Sequence, residues 1–382
     1  MFLIMDIKKI LAAAAVIGCS IPSYSLTTDR AVPADTVTIC IIGDVMLHSA
    51  QIENCFSRYA ATDHKADPAE SGHYDFSPCF SEIRTLLEDA DICAANMEFT
   101  LAGPPYSGYP AFCAPDSYAG YAADCGVDIF LTANNHILDK GASGALRTLE
   151  VYRGMKERGI LDTGCFADSV SMQERYPLIV EKKGLRIAFV NFTYGTNVTA
   201  DSGFPAVCMM DREKIASAME KARNEADVII ALPHWGTEYA LKHSAGQEEM
   251  AEFLVRRGAD AVIGSHPHVV QDTGIIKALD GDYVPVIYST GNIISNMSAD
   301  NTQIGLVVTV PVVRYMDGEA RLCEPEFTFT WCSLPGGLTD SHITIPVLEF
   351  ERRRSEWQDP ADYDRMMESY RRIKETSGIK DR

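Results

Sequence analysis

Seven residues of the kinds that bind metal ions stand at the ends of apolar segments. The segments are 39–44, 92–98, 129–136, 228–234 and 261–268. Their metal-binding residues are Asp44, Glu98, Asn135, His136, His234, His266 and His268. Mixed oxygen and nitrogen donors of this kind suit divalent ions such as Mn, Fe, Zn or Co. The sequence therefore indicates a metal site if the fold brings the segment ends together.

The same segments predict the elements that would position these side chains. Apolar runs of this length, bounded by polar residues, are typical of buried strands. In an open α/β sheet, binding and catalytic groups lie at the carboxyl ends of the strands. We therefore expect the seven side chains to form one polar cluster at such an edge.

The segment Ser265-His266-Pro267-His268 places two imidazoles two residues apart. On an extended segment such residues face the same side, so both rings can point into one pocket. Pro267 stiffens the segment, which suits a fixed ligand. Gly43 and Gly264 stand next to the expected ligands, where glycine lets the backbone turn sharply. The alternative is a pair of polar loop histidines, and the apolar run before them favours the metal site.

The segment Asn134-Asn135-His136 is a weak signal alone, because Asn side chains more often cap turns. Carboxylates nearby would make an Asn ligand and an adjacent acid–base histidine reasonable. His234 at a strand end is also more often structural when it stands alone. Its six companions favour a ligand role, and Glu238 could orient a ring or bind substrate.

Six short motifs in fixed order resemble a known family. They are Gly-Asp-Val-Met at 43–46, Asn-Met-Glu at 96–98, Ala-Asn-Asn-His at 133–136, His-Trp-Gly-Thr-Glu-Tyr at 234–239, Gly-Ser-His-Pro-His-Val at 264–269 and Ser-Thr-Gly-Asn at 289–292. Together they look like the CapA/PgsA family of capsule-synthesis proteins, which is linked to poly-γ-glutamate. The resemblance covers residues 36–300. That family is similar to the calcineurin-like metallophosphoesterases, which implies an α/β fold: a four-layer α/β/β/α sandwich with mixed sheets and a two-metal site.

The resemblance also implies roles for the motif residues. Asp44 and His268 would bind the first metal, and Glu98 would bridge both. The second metal would take Asn135, His234 and His266. His136 would be the catalytic acid or a substrate contact. The residues expected to bind substrate are Asn96, Asn134, Glu238 and Asn292.

One departure from the phosphoesterase pattern concerns the first metal. That pattern has Asp-x-His in the first motif, whereas here Asp44 is followed by Val45 and Met46. The first site therefore loses a ligand. His48 is nearby but at the wrong spacing to be a simple replacement.

Composition and the N-terminus limit the possible partners. The formal net charge of −19 argues against nucleic acid, because phosphate backbones recruit Lys and Arg. Lys8 and Lys9 precede an apolar stretch at 10–18 that is too short to span a bilayer. Val-Ile-Gly-Cys at 16–19 resembles a bacterial lipobox, in which Cys19 is acylated. We expect an exported, lipid-anchored protein of the bacterial cell envelope; cleavage near 23–25 would instead give a secreted or periplasmic chain.

The chain is expected to divide into four parts. They are an export signal at 1–25, a tether at 26–35, the main domain at 36–350 and a charged C-terminal helix or tail at 351–382. Lys183-Gly184 between two apolar runs predicts a hairpin, so the sheets should be mixed. Cys40 and Cys93 lie in predicted strands as small apolar residues. Cys113 with Cys125, and Cys323 with Cys332, are the candidate disulfide pairs.

Two functions remain open from the sequence. The first is an exported metal-dependent hydrolase in which two divalent ions share Glu98 and cleave a phosphoester or an amide such as a γ-glutamyl linkage. The second is a non-catalytic protein that binds or helps export an anionic envelope polymer, or its precursor, for a membrane-embedded capsule synthase complex. The missing histidine favours the second, and the otherwise complete ligand set favours the first. The charge of −19 disfavours a polyanion unless bound metals bridge the contact.

Overall fold

The structure, a computed structural model, describes residues 33–199 and 203–381. The expected export signal at 1–25, with Cys19, lies outside these residues. The expected tether at 26–35 overlaps the first strand, which already begins at Pro33. Within the described residues, no helix has the length and apolar character needed to cross a membrane.

The strands form the central framework of the described residues. In chain order they are β1 Pro33–Val45, β2 Ile92–Met97, β3 Ile129–Leu131, β4 Leu161–Thr163, β5 Cys165–Phe166, β6 Leu178–Lys182, β7 Leu185–Thr193, β8 Ala206–Val207, β9 Val228–His234, β10 Ala261–Ile263, β11 Thr273–Lys277, β12 Tyr283–Ile287, β13 Asn292–Ile294, β14 Ile304–Tyr315, β15 Ala320–Leu322, β16 Glu326–Ser333 and β17 Ile343–Pro346.

The α-helices cover the strands. They are α1 Ser49–Ala60, α2 Arg84–Glu88, α3 Asp116–Asp124, α4 Gly141–Gly154, α5 Ser169–Arg175, α6 Arg212–Glu225, α7 Ala245–Arg256, α8 Val347–Phe350 and α9 Pro360–Ser377. Short 3₁₀ helices lie at Lys156–Arg158 and Arg354–Glu356.

The strands form two large mixed sheets. The nine-stranded sheet has the order β17-β16-β14-β1-β2-β3-β4, with β13 paired to β1 and β15 to β14. The six-stranded sheet has the order β11-β12-β10-β9-β7-β6. Strands β1 to β4 are parallel, as are β7, β9, β10 and β12, whereas the outer pairs are antiparallel. The hairpin predicted at Lys183-Gly184 is confirmed, with positive φ at both residues as a type I′ turn requires.

The two sheets pack face to face, and helices cover their outer faces. Ile39 and Ile41 of β1 share one buried apolar cluster with Phe189 of β7, which fills the space between the sheets. The alternate β1 residues, Cys40 and Ile42, pack with α3 on the other side. Val190 of the second sheet likewise packs with α6 and α7. Because successive residues point to opposite faces, an apolar run marks a strand buried on both sides. The predicted α/β/β/α layering is confirmed.

The C-terminal helix is part of this core. Helix α9 begins after Asp359, whose side chain accepts a hydrogen bond from Ala361 N, and ends at Gly378 in the left-handed conformation. Its inward side buries Met366 and Ile373 in the cluster that also holds the inter-sheet residues. Helix α9 therefore packs into the core, whereas the composition of this segment indicates a charged surface helix.

The candidate disulfides are not formed among the described residues, where all ten cysteines are free. The Cys113 thiol donates to Gly103 O at 3.2 Å, and the Cys332 thiol donates to Ser295 O at 3.3 Å. The expectation of these two pairs is therefore wrong for this structure. Cys40 lies opposite Cys93 in the β1–β2 register, and both are fully buried, as expected of small apolar residues.

Candidate metal centre

The seven expected donors lie at strand ends of both sheets. Asp44 is the penultimate residue of β1, and Glu98 directly follows β2. His234 is the last residue of β9 in the second sheet, and it forms an isolated parallel bridge with Ser265. Each of the seven side chains is buried, with at most 5% exposure. The donors are therefore gathered as predicted, although they come from two facing sheets and not from one edge.

The carboxylate of Glu98 is at the centre of the cluster. Its Oε1 atom lies 3.9 Å from His136 Nε2, 3.9 Å from His234 Nε2 and 3.8 Å from His268 Nε2. These separations are too long for hydrogen bonds. Among the described residues this fully buried oxygen has no hydrogen-bond partner. A buried acceptor left unpaired is costly, so the geometry favours a cation between these atoms.

Two groups of side chains have the size of metal sites. The donor atoms of Glu98, His234 and His266 lie within 4.8 Å of one another, and so do those of Asp44, Glu98 and His268. Glu98 belongs to both, as a bridging carboxylate would. His234 and His268 both approach the same Oε1 atom closely, which is well inside the separation of about 10 Å that would exclude adjacent ions. The side chains present therefore fit divalent metal.

The burial and charge of Glu98, His234 and His266 shift their pKa values in ways that favour binding of a cation. Burial and the nearby Asp44 carboxylate raise the pKa of Glu98 well above its usual range. Burial and neighbouring imidazoles lower the pKa of His234 well below its usual value, and that of His266 to about 3. These two rings are neutral at pH 7, which is the state that binds metal ions. The His266 Nδ1 atom is also buried and has no partner among the described residues.

The two ring nitrogens of His268 face different partners: Nδ1 faces two acceptors, and Nε2 faces the cluster. Its Nδ1 lies 3.1 Å from Asp44 Oδ2 and 3.0 Å from Asn292 Oδ1, while its Nε2 faces Glu98. Burial alone would lower the pKa of His268, but the hydrogen bond and charge of Asp44 outweigh it, and the pKa is raised. The carboxylate thus fixes the ring so that Nε2 points into the centre.

Asn135 contributes its side-chain oxygen to the second group. Asn135 Oδ1 lies 2.8 Å from His234 Nε2, and His234 Nδ1 lies 2.9 Å from Ser265 Oγ. Asn197, from the loop after β7, donates its backbone N–H to Asn135 O at 2.8 Å. Asn135 is therefore held among the expected ligands of the second metal.

Three of the four residues expected to bind substrate lie beneath the donors. Asn96 donates through Nδ2 to Asp44 Oδ1 at 2.7 Å and to Glu98 Oε2 at 3.1 Å. Asn134 donates to Asn96 Oδ1 at 3.1 Å, and Asn292 donates to Thr302 O at 2.9 Å. All three are essentially inaccessible to solvent. Their expected contact with substrate is replaced by a supporting role, whereas Glu238 is exposed.

The backbone at the two clustered histidines differs from the expected extended segment. His266 has φ +101° and His268 has φ +58°. Positive φ is uncommon for non-glycine residues and is costly unless the surroundings enforce it. Both rings still enter one cluster, but left-handed backbone conformations direct them there. Such strain at a cluster of buried donors is typical of a functional site.

The two glycines serve close packing and not sharp turns. A Cβ on Gly43 would lie 1.9 Å from Gly291 O, and a Cβ on Gly264 would lie 2.3 Å from Trp235 Nε1. Neither residue has positive φ. Only glycine lets the neighbouring backbone and indole approach the ligand-bearing segments this closely.

His136 has a carboxylate partner that its motif does not reveal. His136 Nδ1 lies 2.7 Å from Asp139 Oδ2, and Asn197 Nδ2 approaches the same nitrogen at 3.2 Å. The ring packs edge-on against Phe112, at 4.7 Å between centroids. Asp139 three residues later in the sequence was a signal for such a pair, whereas Asn197 gave none.

Neither Met46 nor His48 supplies the imidazole that the first motif lacks. Met46 is buried in the apolar cluster on the helix side of the first sheet. His48 Nδ1 lies 3.2 Å from both Gln51 Oε1 and Asn296 N, at the start of α1. Burial lowers the pKa of His48 to about 4. Within the described residues the first group therefore keeps only Asp44, Glu98 and His268 as buried donors.

Comparisons with known proteins agree with the motifs. A sequence model of the family described as bacterial capsule synthesis protein PGA_cap matches residues 38–297. The capsule biosynthesis protein CapA of Bacillus anthracis is 23% identical over 287 residues, covering 72% of this chain and 63% of that protein. The PGA biosynthesis protein CapA of Bacillus subtilis (strain 168) is 27% identical over 187 residues, covering 48% of this chain and 47% of that protein. This chain thus spans less than two thirds of the length of these two relatives.

Three further comparisons concern one more relative and two solved structures. A probable polyglutamine synthesis accessory protein of Mycobacterium tuberculosis is 23% identical over 300 residues, covering 69% of this chain and 75% of that protein. Among solved structures, the NAD nucleotidase of Haemophilus influenzae is 14% identical with a TM-score of 0.45, covering 89% of this chain and 68% of that one. A hypothetical protein from Thermus thermophilus is 15% identical with a TM-score of 0.40, covering 77% of this chain and 98% of that one.

Proposed function

The chain belongs to the bacterial capsule synthesis protein family PGA_cap, and from this premise we propose that it is a metal-dependent hydrolase of the bacterial cell envelope. The observation that carries the proposal is the unpartnered Glu98 Oε1 atom, which three imidazole nitrogens approach at 3.8–3.9 Å. A purely structural carboxylate in this position would have both oxygens hydrogen-bonded, whereas here only Oε2 accepts a hydrogen bond, from Asn96.

Two divalent ions, of Mn, Fe, Zn or Co, are the proposed cofactors. Glu98 would be shared, Asp44 and His268 would complete the first site, and the second would add the side chains of Asn135, His234 and His266. When bound, such ions supply Lewis acidity and activate water for attack. Asn96, below the donors, holds Asp44 and Glu98 in place by donating hydrogen bonds at 2.7 Å and 3.1 Å.

His136 is the residue proposed to move a proton. Asp139 holds its Nδ1 at 2.7 Å, so that Nε2 faces the centre, 3.9 Å from Glu98 Oε1. A histidine oriented in this way can give a proton at Nε2 to a leaving group or stabilise a developing negative charge. Its edge-on contact with Phe112 limits rotation of the ring.

The proposed substrate is an anionic envelope polymer or its precursor, cleaved at a phosphoester or a γ-glutamyl amide. The names of the relatives, which mention capsule and PGA biosynthesis, support the polymer. The charge of −19 would repel a polyanion, and bound cations at the site would offset that repulsion locally. We further propose attachment to the membrane through lipid on Cys19, beside a membrane-embedded synthase complex.

A paired assay tests the proposal. Metal-loaded protein would be incubated with a panel of aryl phosphoesters and γ-glutamyl peptides, with His136→Ala as the matched variant. We expect hydrolysis in one of the two panels, and its loss in the variant without loss of metal. No hydrolysis in either panel, from a protein that still binds the polymer in a separate binding assay, would contradict the proposed hydrolase activity. That result would favour the non-catalytic binding role, which the buried Met46 in place of a ligand also supports.

A further inference from the structure

A third group of donor atoms extends the cluster towards solvent. The carboxylate of Glu238 and the rings of His266 and His268 have donor atoms within 4.8 Å of one another. The two histidines are 3% exposed, whereas Glu238 is exposed. Each histidine belongs to a different one of the two buried groups. Glu238 is therefore an exposed carboxylate next to one buried donor from each site.

Backbone hydrogen bonds hold this carboxylate beside the histidines. Tyr239 N donates to Pro267 O at 2.8 Å, between the two ligand histidines. At the other end of the same loop, Trp235 N donates to Ser265 O at 3.0 Å. Tyr239 itself has φ +65°, a conformation that residues other than glycine seldom adopt. The loop after β9 is thus fixed against the segment after β10, and its one acidic side chain points to where cations would bind.

The first site is the one that lacks a donor. Asp44, Glu98 and His268 give it three side chains, and divalent ions of the expected kinds take four or more ligands. Met46, where the related pattern has an imidazole, is packed among apolar residues. The fourth ligand must therefore come from another protein segment or from solvent.

We propose that Glu238 is a metal ligand that completes the first site. The inference rests on the proposed metal centre and adds a ligand to it. A carboxylate oxygen in place of an imidazole nitrogen makes this site harder, and hard oxygen donors favour Mn²⁺, whereas imidazole favours Zn²⁺. The first site should therefore prefer Mn²⁺ more strongly than a site with a second histidine would.

Metal titration of single variants tests this role without any assay of turnover. Wild type, Glu238→Gln and the surface control Glu220→Gln on α6 would be titrated with Mn²⁺ by calorimetry after removal of metal. Glu220 is an exposed residue on a helix whose buried residues face the second sheet, so its charge is matched but its position is remote. We expect Glu238→Gln to weaken one of two Mn²⁺ sites by about tenfold or more, and Glu220→Gln to weaken neither.

A second variant separates ligation from simple charge. Glu238→His keeps a donor but removes the negative charge, so it should restore binding and shift the preference from Mn²⁺ towards Zn²⁺. Unchanged Mn²⁺ binding in Glu238→Gln would overturn the inference. Glu238→His that binds Zn²⁺ no more tightly than Glu238→Gln does would also overturn it. Failure of the wild-type protein to bind any divalent ion would instead refute the metal centre itself. Far-UV circular dichroism of each variant confirms that it is folded.

Discussion

Asp139 Oδ2 lies 2.7 Å from Nδ1 of His136, three residues earlier in the chain. The same carboxylate oxygen accepts the backbone N–H of Phe112 at 2.8 Å, so it is fixed from two sides. The pair resembles the carboxylate–histidine arrangements that orient catalytic and metal-binding imidazoles. Asp139 thus positions the ring that we propose to transfer the proton.

Asp139→Asn should therefore slow turnover while leaving the metal in place. The amide cannot favour the same tautomer of His136, and we expect kcat to fall by about 10- to 100-fold. Steady-state kinetics on whichever ester or amide the wild type cleaves, with elemental analysis of the same samples, would check this. A variant with normal kcat, or one that loses metal in proportion to activity, would contradict the positioning role.

The ion of the second site should leave more slowly than that of the first. Its four proposed ligands are all buried, whereas the first site has three buried ligands and takes its proposed fourth from the exposed Glu238. Fewer buried protein ligands leave more positions to water, so the ion dissociates more easily. After identical dialysis, His266→Ala should retain less metal than His268→Ala. Equal retention in the two variants, or earlier loss in His268→Ala, would show that the ligands are assigned to the wrong sites.

Asp260 should make stability fall as the pH rises from about 4 to about 6. Burial raises its pKa from 3.8 to about 6, and Ile229 N donates to its Oδ2 at 2.7 Å. Between these values the unfolded chain has released the proton that the folded chain still holds, so raising the pH favours unfolding; above pH 6 the effect is complete. Asp260→Asn keeps an acceptor and should remove this pH-dependent loss of stability, which amounts to about 3 kcal/mol.

Urea unfolding of wild type and Asp260→Asn at pH 4, 5, 6 and 7, with a chelator present, measures this difference. The chelator keeps metal-linked changes out of the comparison. The free energy of unfolding of the variant relative to wild type should increase across that range. A constant difference at all four pH values would mean that Asp260 has an ordinary pKa in the folded protein.

Cys19→Ala should release the protein from the membrane fraction. The Val-Ile-Gly-Cys segment motivates this prediction, because acylation of Cys19 would be the anchor. Cell fractionation with palmitate labelling compares the variant with wild type, and circular dichroism shows that the fold is kept. An unlabelled wild-type protein whose mature chain begins after Ser25 would contradict the lipid anchor.

The sequence was sufficient to locate the donors and the layers. Alternate burial of Ile39 and Ile41 towards one core, and of Cys40 and Ile42 towards another, is what an uninterrupted apolar run indicates. The strand ends followed from the first polar residue after each run. The strand β13 was not predicted, because its two isoleucines form too short an apolar run to mark a strand.

Other features depended on tertiary contacts that a single sequence does not encode locally. Periodicity does not say which sheet a strand joins, so the division of donors between two facing sheets was not predictable. Histidine seldom adopts positive φ, so the left-handed backbone of His266 and His268 was not expected. The surrounding structure imposes this strain. Asn96 looked like a substrate contact by its motif, yet it lies beneath Asp44 and Glu98. Side-chain direction at a strand end depends on what packs around it.

The most direct test of the metal centre is the metal content of wild type and Glu98→Gln. Both proteins would be stripped with chelator, exposed separately to Mn²⁺, Fe²⁺, Zn²⁺ and Co²⁺, dialysed and measured by inductively coupled plasma mass spectrometry. Because Glu98 belongs to both groups of donors, we expect two ions per wild-type chain with at least one of these metals and loss of both ions in Glu98→Gln. A wild-type protein that retains none of the four metals, or a Glu98→Gln variant that retains as much as wild type, would contradict the account.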